Sequence, residues 1–398
     1  MMEGASILCF AHDWGGDPTS KTHIMKILAR RNRVLWVNSI AMRRPAASGR
    51  DLRRLFDKVA KGLRGCQEVE PNLFVTNPLV IPLPGWNVAD RLNAGILSAT
   101  LRRLCRRRGL EDPILWSFLP NVGRLLGRLG ERLAIYHCVD EYSAFTGVSR
   151  DAIARLERDF VRRADLVLTS SAQLASERVG LNPNTHFVSH GVDLAHFATA
   201  LDGGIEIPAE LRALPRPVIG FFGLLADWVD LDLVRDIALG RPDWSFALVG
   251  KQATGTGALR GLPNVHLLGQ KPYALLPAYC RGFDVGIIPF RTSDLTLRAN
   301  PLKLREYLAA GLPVVSTSLP EVARYRALVH LAEGTAGFTQ AIATALGERS
   351  PAADRARAAA MGAESWEARV AEIEGHIDRT ARRGALAAPH PALSVAAP

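Results

Sequence analysis

No stretch of this 398-residue chain reaches the roughly 18 to 20 consecutive apolar residues needed to cross a bilayer. The opening Met1 to Phe10 is too short for a secretory h-region with its cleavage site, so a cytoplasmic location is expected. The cysteines, Cys9, Cys66, Cys105, Cys138 and Cys280, are odd in number and widely spaced. With no C-x-x-C pair among them there is no zinc ribbon or disulfide framework to build on, and reduced, mostly buried thiols are expected. The chain also lacks a short internal repeat, a G-x-G-x-x-G fingerprint and a P-loop.

What is present describes a folded protein. Hydrophobic residues make up 48% and charged residues 22%, which excludes extensive disorder. The length suits two domains of roughly 150 to 200 residues each. Net charge is +10, and it is one-sided: residues 1–150 hold 23 Lys and Arg against 13 Asp and Glu, 23 − 13 = +10, leaving the remainder neutral. A basic half suits an anionic partner, whether a membrane surface, a phosphate-bearing acceptor or nucleic acid.

Short β-rich runs alternate with amphipathic stretches along the first half. Ile7 to Phe10, Arg33 to Val37, Leu73 to Asn77, Ile114 to Ser117, Leu133 to His137 and Leu166 to Thr169 read as strands, with Val188 to Gly191 as the last of that series. Alternating βα units predict a parallel, doubly wound sheet. A polar stretch from Ala200 to Pro217 reads as a linker. A second series follows, with strands at Val218 to Gly223, Ser245 to Gly250, Val265 to Leu268, Val285 to Pro289 and Pro313 to Ser316. The expectation is an α/β protein of two Rossmann-like domains, residues 1–200 and 215–365, facing a central cleft. A helix over 366–380 is expected to return to the first domain, and the Ala- and Pro-rich 381–398 to be a disordered tail.

Three segments carry candidate chemistry. The loop after the first strand, with Asp13, Gly15 and Gly16, leads into a helix N-terminus, where backbone N–H groups attract an anion such as a phosphate or an acceptor; a plain tight βα turn is the alternative. His137 and Asp140 follow an apolar run at the carboxyl edge of a parallel strand, where ligands bind in such sheets, and a His with a nearby Asp suits acid–base or hydroxyl-orienting work; a structural hydrogen-bonding role for His137 is equally open. In Asn300-Pro301-Leu302-Lys303-Leu304-Arg305-Glu306, Lys303 and Glu306 share one face of a helix opened by Pro301. Lysine neutralises a diphosphate and glutamate accepts from ribose or sugar hydroxyls, although a surface ion pair has the same spacing.

These residues, taken in order, resemble the retaining GT-B glycosyltransferases of the GT4-like group, particularly bacterial teichuronic-acid and other surface-polysaccharide transferases. The carriers are Tyr136 to Phe145, Ala164 to Ser171, His190-Gly191-Val192-Asp193, Gly220 to Asp230, Phe283 to Phe290 and Lys303 to Pro313, spread over residues 5–380. The resemblance implies a nucleoside diphosphate sugar held against the second domain, with Glu306 on the ribose, Gly223 near the diphosphate and His137 facing the transferred sugar. It puts Asp227, Lys251, Arg298, Asn300, Leu302 and Lys303 in the same donor site, with His137 and Asp140 as catalytic candidates. It implies retention of configuration and transfer to a glycan or lipid-linked acceptor in cell-envelope or exopolysaccharide synthesis. No cofactor or metal is expected: Asp230-Leu231-Asp232 matches the letters of a D-x-D motif but reads as a helix start. A sugar-nucleotide 2-epimerase of the same fold and a catalytically inactive scaffold are the alternatives.

Two departures from the family pattern stand out. Arg298 occupies the place of the first of two family glutamates, eight residues before Glu306. The loop Gly223-Leu224-Leu225-Ala226-Asp227-Trp228-Val229-Asp230 lacks the usual Arg and Lys, which leaves Lys303, Arg298 and Lys251 as replacement cations. Separately, Arg50 to Gly65 carries Leu52, Leu55, Phe56, Val59 and Leu63 at helical spacing among basic residues, and Arg102, Arg103, Arg106, Arg107 and Arg108 form a second basic cluster. Both suit peripheral contact with an anionic membrane or, equally, a solvated helix face; without aromatic interleaving they do not suggest nucleic acid.

Overall fold

The computed structural model describes residues 2–39, 65–78 and 87–387; the basic stretch 50–64 and the tail beyond 387 lie outside them. The first sheet contains β1 (Ser6–Phe10), β2 (Arg33–Val37), β3 (Gln67–Glu70), β4 (Leu73–Thr76), β5 (Ile114–Ser117), β6 (Leu133–Cys138), β7 (Leu166–Thr169) and β8 (Thr185–Phe187). Their order is β3-β4-β2-β1-β5-β6-β7-β8, parallel throughout except for the antiparallel β3. The second sheet contains β9 (Val218–Phe222), β10 (Ser245–Val249), β11 (Val265–Gly269), β12 (Val285–Ile288), β13 (Val314–Thr317) and β14 (Val329–Ala332), all parallel in the order β11-β10-β9-β12-β13-β14. Both central series are near-continuous apolar runs, as strands covered on two faces require: every residue of β1, β6, β9 and β10 is buried.

Each sheet reverses its winding direction once, between β1 and β5 in the first and between β9 and β12 in the second. A crevice opens at the carboxyl ends of the strands at such points, and these two crevices make the site described below.

Three strands, β3, β8 and β14, escape the sequence patterns. β3 is the polar run Gln-Glu-Val-Glu on an exposed edge, and β14 is only four residues long. The predicted strand at Val188–Gly191 is corrected: the ladder partner of β7 is β8, and 188–191 instead carries the chain out of the first lobe. Nor is Ala200–Pro217 a free tether. It holds a short helix, Ala209–Arg212, whose Leu211 is buried in the second core. Asp230 caps the helix Leu231–Gly240 by accepting from Leu233 N–H at 3.1 Å, so the D-x-D letters open a helix.

The closing helix runs over Trp366–Ala387, seven residues beyond the expected end and into the stretch expected to be a disordered tail. It packs on the first lobe: Trp366, Val370, Ile373 and Ile377 are part of that lobe's core, and Glu374 accepts from Met2 N–H at 3.1 Å and from Arg31 at 3.3 Å. The chain therefore passes between the lobes twice, and the two passages lie side by side. Val192 N–H donates to Glu364 O at 2.8 Å, and Trp366 N–H donates to Val192 O at 3.3 Å. Gly191 permits the approach, since a Cβ there would stand 2.8 Å from the Trp366 backbone.

Candidate active site

A cleft of about 540 Å³ is lined from both lobes, by residues just beyond β1 and β6 on one side and just beyond β9, β10, β11 and β12 on the other. The second-lobe wall begins with two glycines. Gly223, with φ +137°, and Gly250, with φ +156°, follow β9 and β10. A Cβ on Gly250 would stand 1.8 Å from the Gly223 carbonyl oxygen, so only glycine permits the two turns to touch. Beside them lies the helix Leu302–Ala309. Its Lys303 ammonium lies 5.3 Å from the Phe221 ring centroid and 4.9 Å from that of Phe290. Lys303 and Glu306 both line the cleft. Burial pushes the Lys303 ammonium down and the Glu306 carboxyl up from their usual values, each effect opposed by the other's charge. Among the described residues neither has an ion-pair partner, so both stand ready for a ligand with an anionic and a hydroxyl-bearing part.

The first-lobe wall carries Asp140, Lys21 and His190. Burial raises Asp140 to about 6 against the attraction of Lys21, with Glu141 raising it further. Burial lowers Lys21 to about 8, Asp140 opposing. His190 is held well below its usual value by burial and then by Arg305, His137 and Lys21, so its imidazole is neutral near pH 7. Lys21 and His190 were not singled out in the sequence. A lysine in Ser-Lys-Thr-His at a helix start reads as solvated, yet Lys21 is only 6% exposed, with His12 and Asp140 of its own lobe beside it. His190 did belong to the quoted His-Gly-Val-Asp run, which could have flagged it.

Several expected site residues are placed elsewhere. His137 does not line the cleft: β6 continues through Cys138, so His137 is still in the ladder opposite Leu168. Its ring, 2% exposed, stacks on Phe118 at 4.9 Å with a buried, unpartnered Nδ1. Burial lowers it to about 3. Arg298 is likewise not on the cleft wall, because Glu177 of the first lobe holds its guanidinium at 2.9 Å. Asp227 is exposed and accepts from the Thr146 hydroxyl across the lobes. Asn300 touches the cleft, but its side chain is engaged with Ser170 O at 2.7 Å, Ser189 at 3.1 Å and Arg305 at 2.8 Å. Leu302 and Lys251 line the cleft. Asp13, Gly15 and Gly16 line a separate hollow of about 400 Å³ that shares Asp17, Pro18, Thr19 and Lys21 with it.

Asp140 gives a pH signature. Below about pH 4 its carboxyl is neutral folded and unfolded. Between pH 4 and 6 it ionises first in the unfolded chain, so the native state loses stability as pH rises, and the loss levels off above 6. Asp140→Asn removes this penalty. The variant is expected to gain up to about 2 kcal/mol over wild type as pH goes from 4 to 7, read as the difference in urea midpoints. A difference independent of pH would mean that Asp140 ionises freely.

Comparison with known proteins places the fold. Residues 216–348 match the family described as glycosyl transferases group 1. The teichuronic acid biosynthesis glycosyltransferase TuaH of Bacillus subtilis is 32% identical over 233 residues, 54% of this chain and 57% of TuaH, so the match spans little more than half of that relative. Among solved structures, sucrose-phosphate synthase from Thermosynechococcus elongatus superposes with a TM-score of 0.67 at 16% identity, over 96% of this chain and all of that one. HepE of Anabaena in complex with UDP-glucose gives 0.64 at 15% identity, over 94% and 99% of the two chains. The chain thus has the GT-B fold of two Rossmann-like lobes, and most of its second lobe matches the model of the glycosyl transferases group 1 family.

Proposed function

We propose that this protein is a glycosyltransferase that moves a sugar from a nucleoside diphosphate donor onto a glycan or lipid-linked acceptor in cell-envelope or exopolysaccharide synthesis, with retention of configuration. The observation that carries the donor half is the second-lobe wall: Lys303 and Glu306, both without ion-pair partners among the described residues, stand beside the touching glycines Gly223 and Gly250. Glu306 would accept from the ribose hydroxyls. Lys303, Lys251 and backbone N–H groups would meet the diphosphate, an electrostatic arrangement that does not call for a metal. The names of TuaH and of the HepE complex support polysaccharide synthesis and a UDP-linked donor.

The acceptor half draws on the first lobe. Arg102, Arg103, Arg106 and Arg107 are exposed on the helix Asn87–Arg107, a basic face suited to peripheral contact with an anionic cytoplasmic membrane near a lipid-linked acceptor. No described helix is long and apolar enough to cross one.

Calorimetry with UDP, GDP, ADP and TDP on wild type and Glu306→Ala tests the donor site. One nucleotide is expected to bind wild type, and the variant is expected to bind it roughly 10- to 100-fold more weakly, the loss of charge-assisted hydrogen bonds. Absence of binding to every nucleotide and its common sugar conjugates would reject the transferase reading. Epimerised donor formed without any acceptor would point to the 2-epimerase instead.

A further inference from the structure

The diphosphate of a nucleotide donor needs cations, and on the second-lobe wall Lys303 and Lys251 are the lysines left to meet it. The loop after β9 presents Leu224 and Trp228 to the cleft in place of basic residues, Arg298 is held by Glu177, and Lys271 is held by Glu210 at 2.8 Å. The first lobe offers what is missing. Lys21 is the second residue of the helix Ser20–Ala29, whose first residues line the cleft. It is 6% exposed yet lines both the cleft and the adjoining hollow. An ammonium has three N–H donors, and among the described residues the one hydrogen bond of Lys21 goes to His12 Nδ1, at 2.7 Å. Asp140 is within electrostatic reach but makes no salt bridge with it. A buried cation with spare donors and no direct counter-ion is costly to maintain unless an anion completes it.

We propose that Lys21 is a phosphate-binding residue of the donor site, replacing from across the cleft the cation that the loop after β9 lacks. Because Lys21 belongs to the first lobe and Lys303 to the second, a diphosphate held between them joins the lobes, whereas a nucleoside alone engages only the second. The inference rests on the donor-site reading above and deepens it.

The test is the ratio of affinities for whichever of UDP, GDP, ADP and TDP binds and for its nucleoside, in wild type and in Lys21→Met, which keeps an unbranched side chain of similar size without the charge. The ratio is expected to fall at least tenfold in Lys21→Met. Any general loosening of the cleft weakens both ligands and cancels in the ratio. An unchanged ratio overturns the role of Lys21 and leaves the donor site standing, whereas a wild type that binds none of UDP, GDP, ADP and TDP removes the donor site itself.

Discussion

Replacing Arg305 with methionine is expected to cost about 3–5 kcal/mol of stability, the usual consequence of removing one partner from a buried charged network. Arg305 is fully buried. Its guanidinium donates to Asn300 at 2.8 Å, to the Tyr325 hydroxyl at 2.7 Å, to Glu364 at 3.2 Å and to the Ser189 hydroxyl. Ser189 lies on the passage leaving the first lobe and Glu364 on the passage returning to it, so one side chain ties both to the helix that carries Lys303 and Glu306. Methionine fills similar space but leaves the buried Asn300 oxygen and the Ser189 hydroxyl without that donor, each at a desolvation cost. At 2–4 °C per kcal/mol for lobes of this size, the thermal midpoint is expected to drop by roughly 10 °C. Arg298→Ala supplies the contrast. Its pair with Glu177 is about a quarter exposed, and a loss of about 1 kcal/mol or less is expected. Equal effects of the two variants would mean that the Arg305 network is not the join described.

Gly250→Ala is expected to abolish nucleotide binding and to destabilise the second lobe by about 3 kcal/mol. The residue has φ +156°, and the new methyl group would meet the Gly223 carbonyl oxygen at 1.8 Å. That oxygen belongs to the backbone and cannot rotate away, so the whole turn must move, adding strain of about 1–3 kcal/mol to the lost contacts. The displaced turn would also break the pairing of Leu225 N–H with Lys251 O at 3.0 Å and of Ala253 N–H with Leu225 O at 2.8 Å. Gly255→Ala is the control: nothing lies within 4 Å of its Cβ position, and a change within about 0.5 kcal/mol is expected. Thermal melts and calorimetry on both variants measure the two effects. Full nucleotide affinity in Gly250→Ala would place the donor away from these glycines.

The fold was largely legible because parallel strands covered on both faces must be apolar throughout, and β1, β2, β6 and β9 announce themselves that way. β3 failed this test as a polar edge strand, where water replaces the second layer. In the site, Lys303 and Glu306 were readable because helical spacing puts them on one face and Pro301 marks where the helix opens. His137 was misplaced by a single residue of strand length: the ladder runs through Cys138, so the loop that reaches the cleft starts at Val139 and delivers Asp140 but not His137. Arg298 and Asp227 were misassigned for a different reason. Their partners, Glu177 and Thr146, belong to the opposite lobe, more than 80 residues away in sequence, and no local pattern encodes such pairings. Lys21 escaped notice because the second position of a helix is ordinarily solvated, and no local pattern shows that Asp140, far along the chain, lies within reach of it.

The helix Trp366–Ala387 gives the two lobes different histories during synthesis. The second lobe is one continuous stretch, and every strand of its sheet has been translated once Ala332 is made. The first lobe is begun before it but lacks Trp366, Val370, Ile373 and Ile377 until the second lobe has been made. Its apolar face must therefore wait, uncovered, while the rest of the chain is translated, a period of about 10–40 s for the roughly 190 residues involved at 5–20 residues per second. Of the two lobes, the one begun first is the one completed last, which makes the nascent first lobe the stage at which chaperone protection matters most.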